Sequence, residues 1–258
     1  MARELIWDER VHYRDRLRSA RYAALADAEA FDEICFVVES LGLRLRSAEK
    51  SMNGYFNQVK DLSTRSDVFH SIAPDHPALF ARFDALYKTV QSARNDAMHS
   101  GVYARHATAS GIALCIGLEE ALMAEEENVR TRVDDFMVRS PVIVHTWQPV
   151  AYARQLMLMH SFSFLPVYLD GWKLIPETSM AKYLPRGGEP RRVALGRSIQ
   201  EAAGLDAGKL ELIPADVVAP ERNVVEMLQG ADVNRPTLWL VEDGHGGLAG
   251  VLSPFEVM

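Results

Sequence analysis

The strongest constraint on this chain is an order of residue types that occurs twice toward its C-terminal end. Phe164-Leu165-Pro166-Val167-Tyr168-Leu169 is followed by Asp170-Gly171 and then by Trp172-Lys173-Leu174-Ile175. Thr237-Leu238-Trp239-Leu240-Val241 is followed by Asp243-Gly244-His245-Gly246-Gly247 and then by Leu248-Ala249-Gly250-Val251-Leu252. Each reads as two short strands, rich in β-branched and aromatic residues, around a turn whose Asp and Gly supply the tight backbone. Each is also preceded by a further β-branched run and a helix. In the first copy these are Ser140-Pro141-Val142-Ile143-Val144 and a helix opened by Pro149; in the second, Asp216-Val217-Val218 and a helix over 223–229. A short helix over 178–184 ends the first copy. The repeat length is about 60–70 residues, which predicts two α/β units of one design, and Pro185-Arg186-Gly187-Gly188-Glu189-Pro190 reads as the hinge between them.

Upstream of about residue 130 the alternation disappears and helical spacing takes over. Ile6, Tyr13, Leu17, Ala20 and Ala24, then Phe31, Cys35, Val38, Leu41 and Leu45, recur at three, four and seven. They predict helix from 3 to about 48, broken once. From 48 to 77 turn chemistry dominates, with one short helix near 55–62. Helix resumes at Ala78, with Leu79, Phe83, Leu86, Val90 and Ala93 on its apolar stripe, and ends at Arg94. After Gly101 a last helix runs to about Asn128 and carries Ile112, Cys115, Ile116, Leu118, Ala121 and Leu122. At 258 residues the chain has room for more than one domain. The fold class expected is α followed by α/β: a bundle of four or five helices over 1–130, then repeats over 131–190 and 191–258.

A formal net charge of −7 argues against a general coating for polyanions, although binding follows the local field. Arg10, Arg14, Arg18 and Arg21 share one side of the first helix. They read either as a solvated face partnered by Asp8, Glu9 and Asp15, or as a row of phosphate contacts. The two cysteines, Cys35 and Cys115, lie in apolar helical surroundings and read as small buried hydrophobes of a reducing compartment. No metal-spaced Cys/His set, Gly-rich phosphate loop or nucleophile elbow is present in the sequence. No run approaches the roughly 18 apolar residues of a membrane span or the h-region of a signal peptide, so a cytoplasmic protein is expected.

One segment of the helical half carries chemistry: Arg94-Asn95-Asp96-Ala97-Met98-His99-Ser100-Gly101. An Arg can hold a phosphate with two parallel hydrogen bonds, and a His exchanges a proton near neutrality. The spacing alone is not selective, because Arg65/His70, Arg139/His145 and Arg154/His160 fit it too. Arg94 is set apart by the Asn that follows it, by its place at the end of an amphipathic stripe, and by the Ser-Gly exit after His99. On a continuous helix Asn95 and His99 share a face, whereas Arg94 and His99 stand about 140° apart. Acting on one phosphate would need either a helix break here or two copies of the segment facing across a dimer axis. The alternative is structural, with Arg94 and His99 serving helix ends.

Two family resemblances follow from these residues. Residues 132–258, with SFLPVYLDGWKLI in one copy and TLWLVEDGHGGLAGVLSPFEVM in the other, resemble a tandem pair of CBS domains (β-α-β-β-α). The resemblance implies dimerisation and an adenine nucleotide (AMP, ADP or ATP) as regulatory ligand. The family's Gly-x-x-Ser/Thr-x-x-Asp motif is matched by Gly250, Ser253 and Glu256 in the second copy, whereas Pro176 and Ser179 stand at the corresponding places of the first. The helical half, to about residue 128, resembles the HEPN superfamily through Arg94-Asn95-x-x-x-His99. That resemblance implies metal-independent RNA cleavage at a site shared across a homodimer. His99 would act as general acid or base, Arg94 would stabilise charge on the phosphoryl oxygens, and Asn95 would orient one of them. Together they lead to an adenine-nucleotide-regulated, metal-independent endoribonuclease, a toxin or stress effector. The alternative is a non-catalytic, nucleotide-sensing regulator that binds RNA or a protein.

Overall fold

The computed structural model describes residues 3–48, 50–100, 104–124, 132–233, 235 and 237–258; for 97–100 and 104–106 it describes the backbone alone. The chain divides into two compact units, Met1–Val129 and Arg130–Met258. In the first, α1 (Trp7–Ala26) stops where Asp27 turns extended, and the Asp27 carboxylate accepts the Glu29 N–H at 2.9 Å to start the next turn. Then come α2 (Phe31–Arg46), α3 (Met52–Ser63), a π-helical turn Val68–Ile72 running into α4 (Ala73–Asp75), α5 (Phe83–Ser100) and α6 (Ala104–Met123). Leu17, Ile34, Val38, Leu41, Val59, Val90, Leu114, Leu118 and Leu122 are fully buried between them. Most of the predicted stripes are therefore this unit's core.

Five local expectations change, the first at Ile6, which precedes α1 and is exposed instead of lying on the buried stripe. Residues 68–75, read as turns, are helical. Helix does not resume at Ala78: His76, held off the helical region by Pro77 (φ −125°, ψ 56°), starts an irregular stretch that leaves Leu79 80% exposed. Helix α5 does not end at Arg94 but carries on through Asn95 and the His99 backbone to Ser100. Ile116 faces outward, while its neighbours Cys115 and Leu118 are buried; residues 125–128 and Gly101 lie outside the described residues.

The arginine row of α1 is neither a solvated face nor a free phosphate track. Arg14 is 2% exposed and Arg21 8%. Arg21 holds the buried Glu119 of α6 through two bonds, at 2.9 and 3.1 Å, and Arg18 approaches the same carboxylate at 3.7 Å. Arg10 donates to the carbonyls of Leu5 and Ala124 at 3.3 Å. Asp15 partners Arg14 as expected, but Glu9 is taken by Arg44, whose guanidinium holds its carboxyl below the usual value. The row is an internal seam between α1 and α6.

The second unit starts with α7 (Val133–Phe136) and β1 (Val138–Arg139). The first repeat follows as α8 (Val150–His160), β2 (Phe164–Tyr168), β3 (Trp172–Pro176) and α9 (Glu177–Tyr183). Next come α10 (Gly188–Gly196), α11 (Ile199–Ala203) and β4 (Ile213–Pro214). The second repeat is β5 (Asp216–Val218), α12 (Val224–Gln229), β6 (Trp239–Glu242), β7 (Leu248–Leu252) and a 3-10 turn Pro254–Val257. Strands β2 and β3 form an antiparallel hairpin, its last pair Tyr168 and Trp172, and the three-residue connection puts Asp170 (φ 50°) and Gly171 (φ 106°) at positive φ, where Asp and Gly are the tolerated residues. In the second copy β5 runs parallel to β6 and β7 returns antiparallel. The first copy echoes the parallel pair with a single bridge, Val144 to Val167. Half of the expected hinge is irregular (185–187) and half is helix, because α10 begins at Gly188 and takes Pro190 into its first turn, where a missing N–H costs nothing.

The two sheets are β2-β3-β4 and β1-β7-β6-β5. Their cores interleave along the chain and do not follow sequential blocks such as 131–190 and 191–258. Ile199, Ala202 and Leu210 pack with the first repeat's Leu165, Val167 and Ile175, whereas Val133 and Met137 pack with the second repeat's Trp239, Val241 and Leu252.

Candidate functional site

The three motif residues of the second copy are close in sequence but are engaged with the fold. Gly250 lies in β7, opposite Val241 on one side and Arg139 on the other. A Cβ there would come within 2.7 Å of the Met137 sulfur and 2.8 Å of the Val138 carbonyl oxygen. This glycine lets β1 approach, and it opens no space for a ligand. Ser253 caps the final 3-10 turn and Glu256 closes the box: its carboxylate accepts from the Ser253 N–H at 2.7 Å and from the Ser253 hydroxyl at 2.5 Å. The two motif side chains are thus partnered by each other.

In the first copy the corresponding helix faces a pocket of about 360 Å³ lined by Ser179, Lys182, Asp206, Gly208, Lys209 and Glu211. Ser179, buried, and Lys182 stand three apart on α9, which follows directly from β3, so both line one side. The other side is the loop between α11 and β4, turned at Gly208 (φ 64°). Lys182 and Lys209 are exposed and make no ion pair among the described residues. Two ammonium groups, two carboxylates and a hydroxyl around one opening can take a ligand that is anionic at one end and rich in hydroxyls at the other. Lys182 was within reach of sequence reasoning, since it stands three after Ser179, where the motif has its acid. Lys209 and the two acids were not, because only the fold brings that loop to α9.

On α5, Arg94 and Asn95 are adjacent and Asn95 is exposed. The Arg94 guanidinium is ion-paired with Glu39 of α2, with 31% of its side chain exposed against 20% for Glu39. Helix α5 is continuous from Arg94 to the Ser100 backbone, so of the two alternatives a helix break is not found among the described residues; Gly101 lies outside them. The side chain of His99 lies outside the described residues. Nearby Cys35 is buried, and desolvation, with Asp32 adding to it, pushes its thiol up to about 12; burial raises Cys115 as well. The Gly-His-Gly-Gly segment is a hairpin connection. The Asp243 carboxylate accepts the N–H groups of Gly247 (2.8 Å) and His245 (2.9 Å), which hold it below its usual value. Among the described residues no cluster of three His, Cys, Asp or Glu side chains is placed to hold a metal ion, and no helix is long and apolar enough to cross a membrane.

No family model matches the sequence, and no curated protein matches it. About half of the chain is similar to solved structures of CBS-domain proteins. A hemolysin-like protein containing a CBS domain, from Oenococcus oeni, is 18% identical over 49% of this chain and 86% of its own, with a TM-score of 0.35. CBSX2 in complex with AMP is 21% identical over 50% of this chain and 93% of its own (TM-score 0.37). The CBS domain of a bacterial CNNM/CorC family Mg2+ transporter in complex with ATP is 18% identical over 49% and 84% (TM-score 0.38).

Proposed function

We propose that this chain is a nucleotide-sensing regulatory protein: the C-terminal unit takes an adenine nucleotide, and the helical unit delivers the response by binding RNA or a protein, as a homodimer. The pocket at α9 carries the reading. A phosphate group there meets Lys182 and Lys209, ribose hydroxyls find acceptors in Asp206 and Glu211, and Ser179 adds a hydroxyl. The second copy would have to open the Ser253–Glu256 box to receive the same ligand, a loss of about 1 kcal/mol before any contact is made, so the ligand is assigned to the first copy. For regulation, the nucleotide must bind one conformational state more tightly than another.

Calorimetric titration of AMP, ADP and ATP into the full chain tests this. Replacing Lys182 and Lys209 together by Ala is expected to weaken the best nucleotide by at least about tenfold, the value of one lost charge-assisted bond. Ser253→Ala should leave its affinity unchanged. Absence of binding by all three nucleotides removes the reading.

A second reading, metal-independent RNA cleavage by Arg94, Asn95 and His99, is favoured by the exposed Asn95 beside a partly exposed Arg94 on one helix. In it Glu39 holds Arg94 until a phosphate displaces the carboxylate. End-labelled RNA incubated with the chain in chelator would yield 2′,3′-cyclic phosphate ends, lost in His99→Ala; undiminished cleavage by that variant ends this reading.

A further inference from the structure

The helical unit holds a second pocket, of about 300 Å³, that is unrelated to the Arg94 segment. Its floor is aromatic. Phe69, from the π-helical turn, meets Phe83, the first residue of α5, edge to face at 5.7 Å, and Phe83 packs in turn on Tyr87 and Phe56 at 5.4 and 5.9 Å. Such ring clusters hold each member in a fixed orientation.

The rim is basic. Lys60 is bound to Asp84 at 2.8 Å, which uses one of its three N–H donors, while Arg82 and His70 are exposed and have no side-chain partner among the described residues. With Lys60 balanced by Asp84, Arg82 is the uncompensated charge at the opening.

The floor is also positioned from behind. Ser66, fully buried, donates its hydroxyl to Glu120 of α6, whose carboxylate also accepts the Val68 N–H at 3.3 Å, and the Phe69 N–H donates to the Ser66 oxygen at 3.2 Å. Behind the Phe69 ring sits Gly117 of α6, where a Cβ would fall 2.2 Å from the ring carbons. A helix of wide π geometry, an uncommon conformation concentrated at functional sites, is thus clamped in place to present Phe69 and His70 to one opening.

We infer that this pocket binds a small flat-ringed anion, its ring against Phe69 and Phe83 and its phosphate or carboxylate on Arg82, with His70 and the free donors of Lys60 in support. The volume suits a single ring system with its substituent. Nucleoside monophosphates and aromatic carboxylates share this chemistry, and the probes below separate them.

The test is calorimetry, with saturation-transfer NMR, on the full chain using four probes: phenyl phosphate, benzoate, cyclohexanecarboxylate and inorganic phosphate. The inference expects one of the two aromatic anions to bind, at least about tenfold more tightly than either non-aromatic probe, and the preferred one tells phosphate from carboxylate sources. Arg82→Gln, at an exposed position, should weaken that probe by about tenfold or more, as expected for a charge-assisted contact. Gly117→Ala, which displaces the Phe69 ring, should weaken it while leaving far-UV circular dichroism unchanged; if that variant fails to fold, Phe69→Leu takes its place. No binding by either aromatic probe at millimolar concentration overturns the inference. So does equal binding of inorganic phosphate, or affinity indifferent to Arg82→Gln. All titrations are made in the full chain carrying Lys182→Ala and Lys209→Ala, so that a phosphate held at the α9 pocket does not enter the readout and the two readings fail separately.

Discussion

Removing the Glu119 carboxylate should open the α1–α6 seam. Arg21 and Glu119 are each 8% exposed, joined by bonds of 2.9 and 3.1 Å, with Arg18 at 3.7 Å and the buried Arg14 further along the same face. Glu119→Ala deletes two charge-assisted bonds, each contributing about 1.5–3 kcal/mol, and leaves a guanidinium buried without its counter-ion. Breaking a buried pair from one side typically destabilises by about 3–5 kcal/mol, and the two estimates agree. The chain has two compact units, so a single unfolding midpoint would mix them. Hydrogen exchange read by mass spectrometry on peptides from α1 and α6 avoids this. The expected change is exchange faster by roughly two to four orders of magnitude in those peptides, with peptides from 132–258 unaffected. The combined Arg21→Met, Glu119→Leu variant should recover most of the loss, because apolar replacement of a whole buried pair is close to neutral. An increase below about tenfold, or about 1.4 kcal/mol, would refute the reasoning. The arginine row would then be solvated and available to phosphates after all.

Three further outcomes can be checked separately. Gly250→Ala forces a methyl against the Met137 sulfur and the Val138 carbonyl, so overpacking of about 1–3 kcal/mol should lower the thermal midpoint of the C-terminal unit without changing nucleotide affinity. Glu39→Gln keeps the shape of the Arg94 partner and removes its charge; fluorescence anisotropy with a short RNA should show affinity up by a few-fold, and no gain would argue that Arg94 serves only the fold. Both thiols are raised, Cys35 to about 12, so each stays protonated and unreactive across the physiological range. An aromatic disulfide reagent at pH 8 should label neither in the native chain and both in denaturant, and fast native labelling of either would contradict their burial.

How far this was legible depends on how local the cause is. The hairpins of the two repeats could be read because alternation, Asp-Gly turns and β-branched runs act over a few residues. The π-helical turn and the delayed start of α5 depend on Ser66 meeting Glu120 and on Pro77 next to His76; only the second is visible in the sequence. The continuation of α5 past Arg94 was missed because 95–100 carries no apolar stripe to announce it. The arginine row could be seen but not interpreted, since its acceptor is 98 residues away. Gly250 shows a different limit: it matches the motif by residue type, while in the fold its missing Cβ serves the approach of β1.

The two copies differ at one position in a way that bears on where a ligand can sit. A capping box needs an acceptor three residues beyond the hydroxyl, to take the backbone and side-chain protons of the first residue. Glu256 supplies one to Ser253, so the pair that resembles a nucleotide motif satisfies itself. Ser179 is instead the third residue of α9, whose N-cap is Pro176, so it starts no capping box, and Lys182, three residues on, only donates. Lys182 lines the opening together with Lys209. The copy that departs further from the motif keeps its polar groups available, and the copy that keeps the motif has used them. Resemblance to a binding motif and capacity to bind are separated here by competition for the same hydrogen bonds.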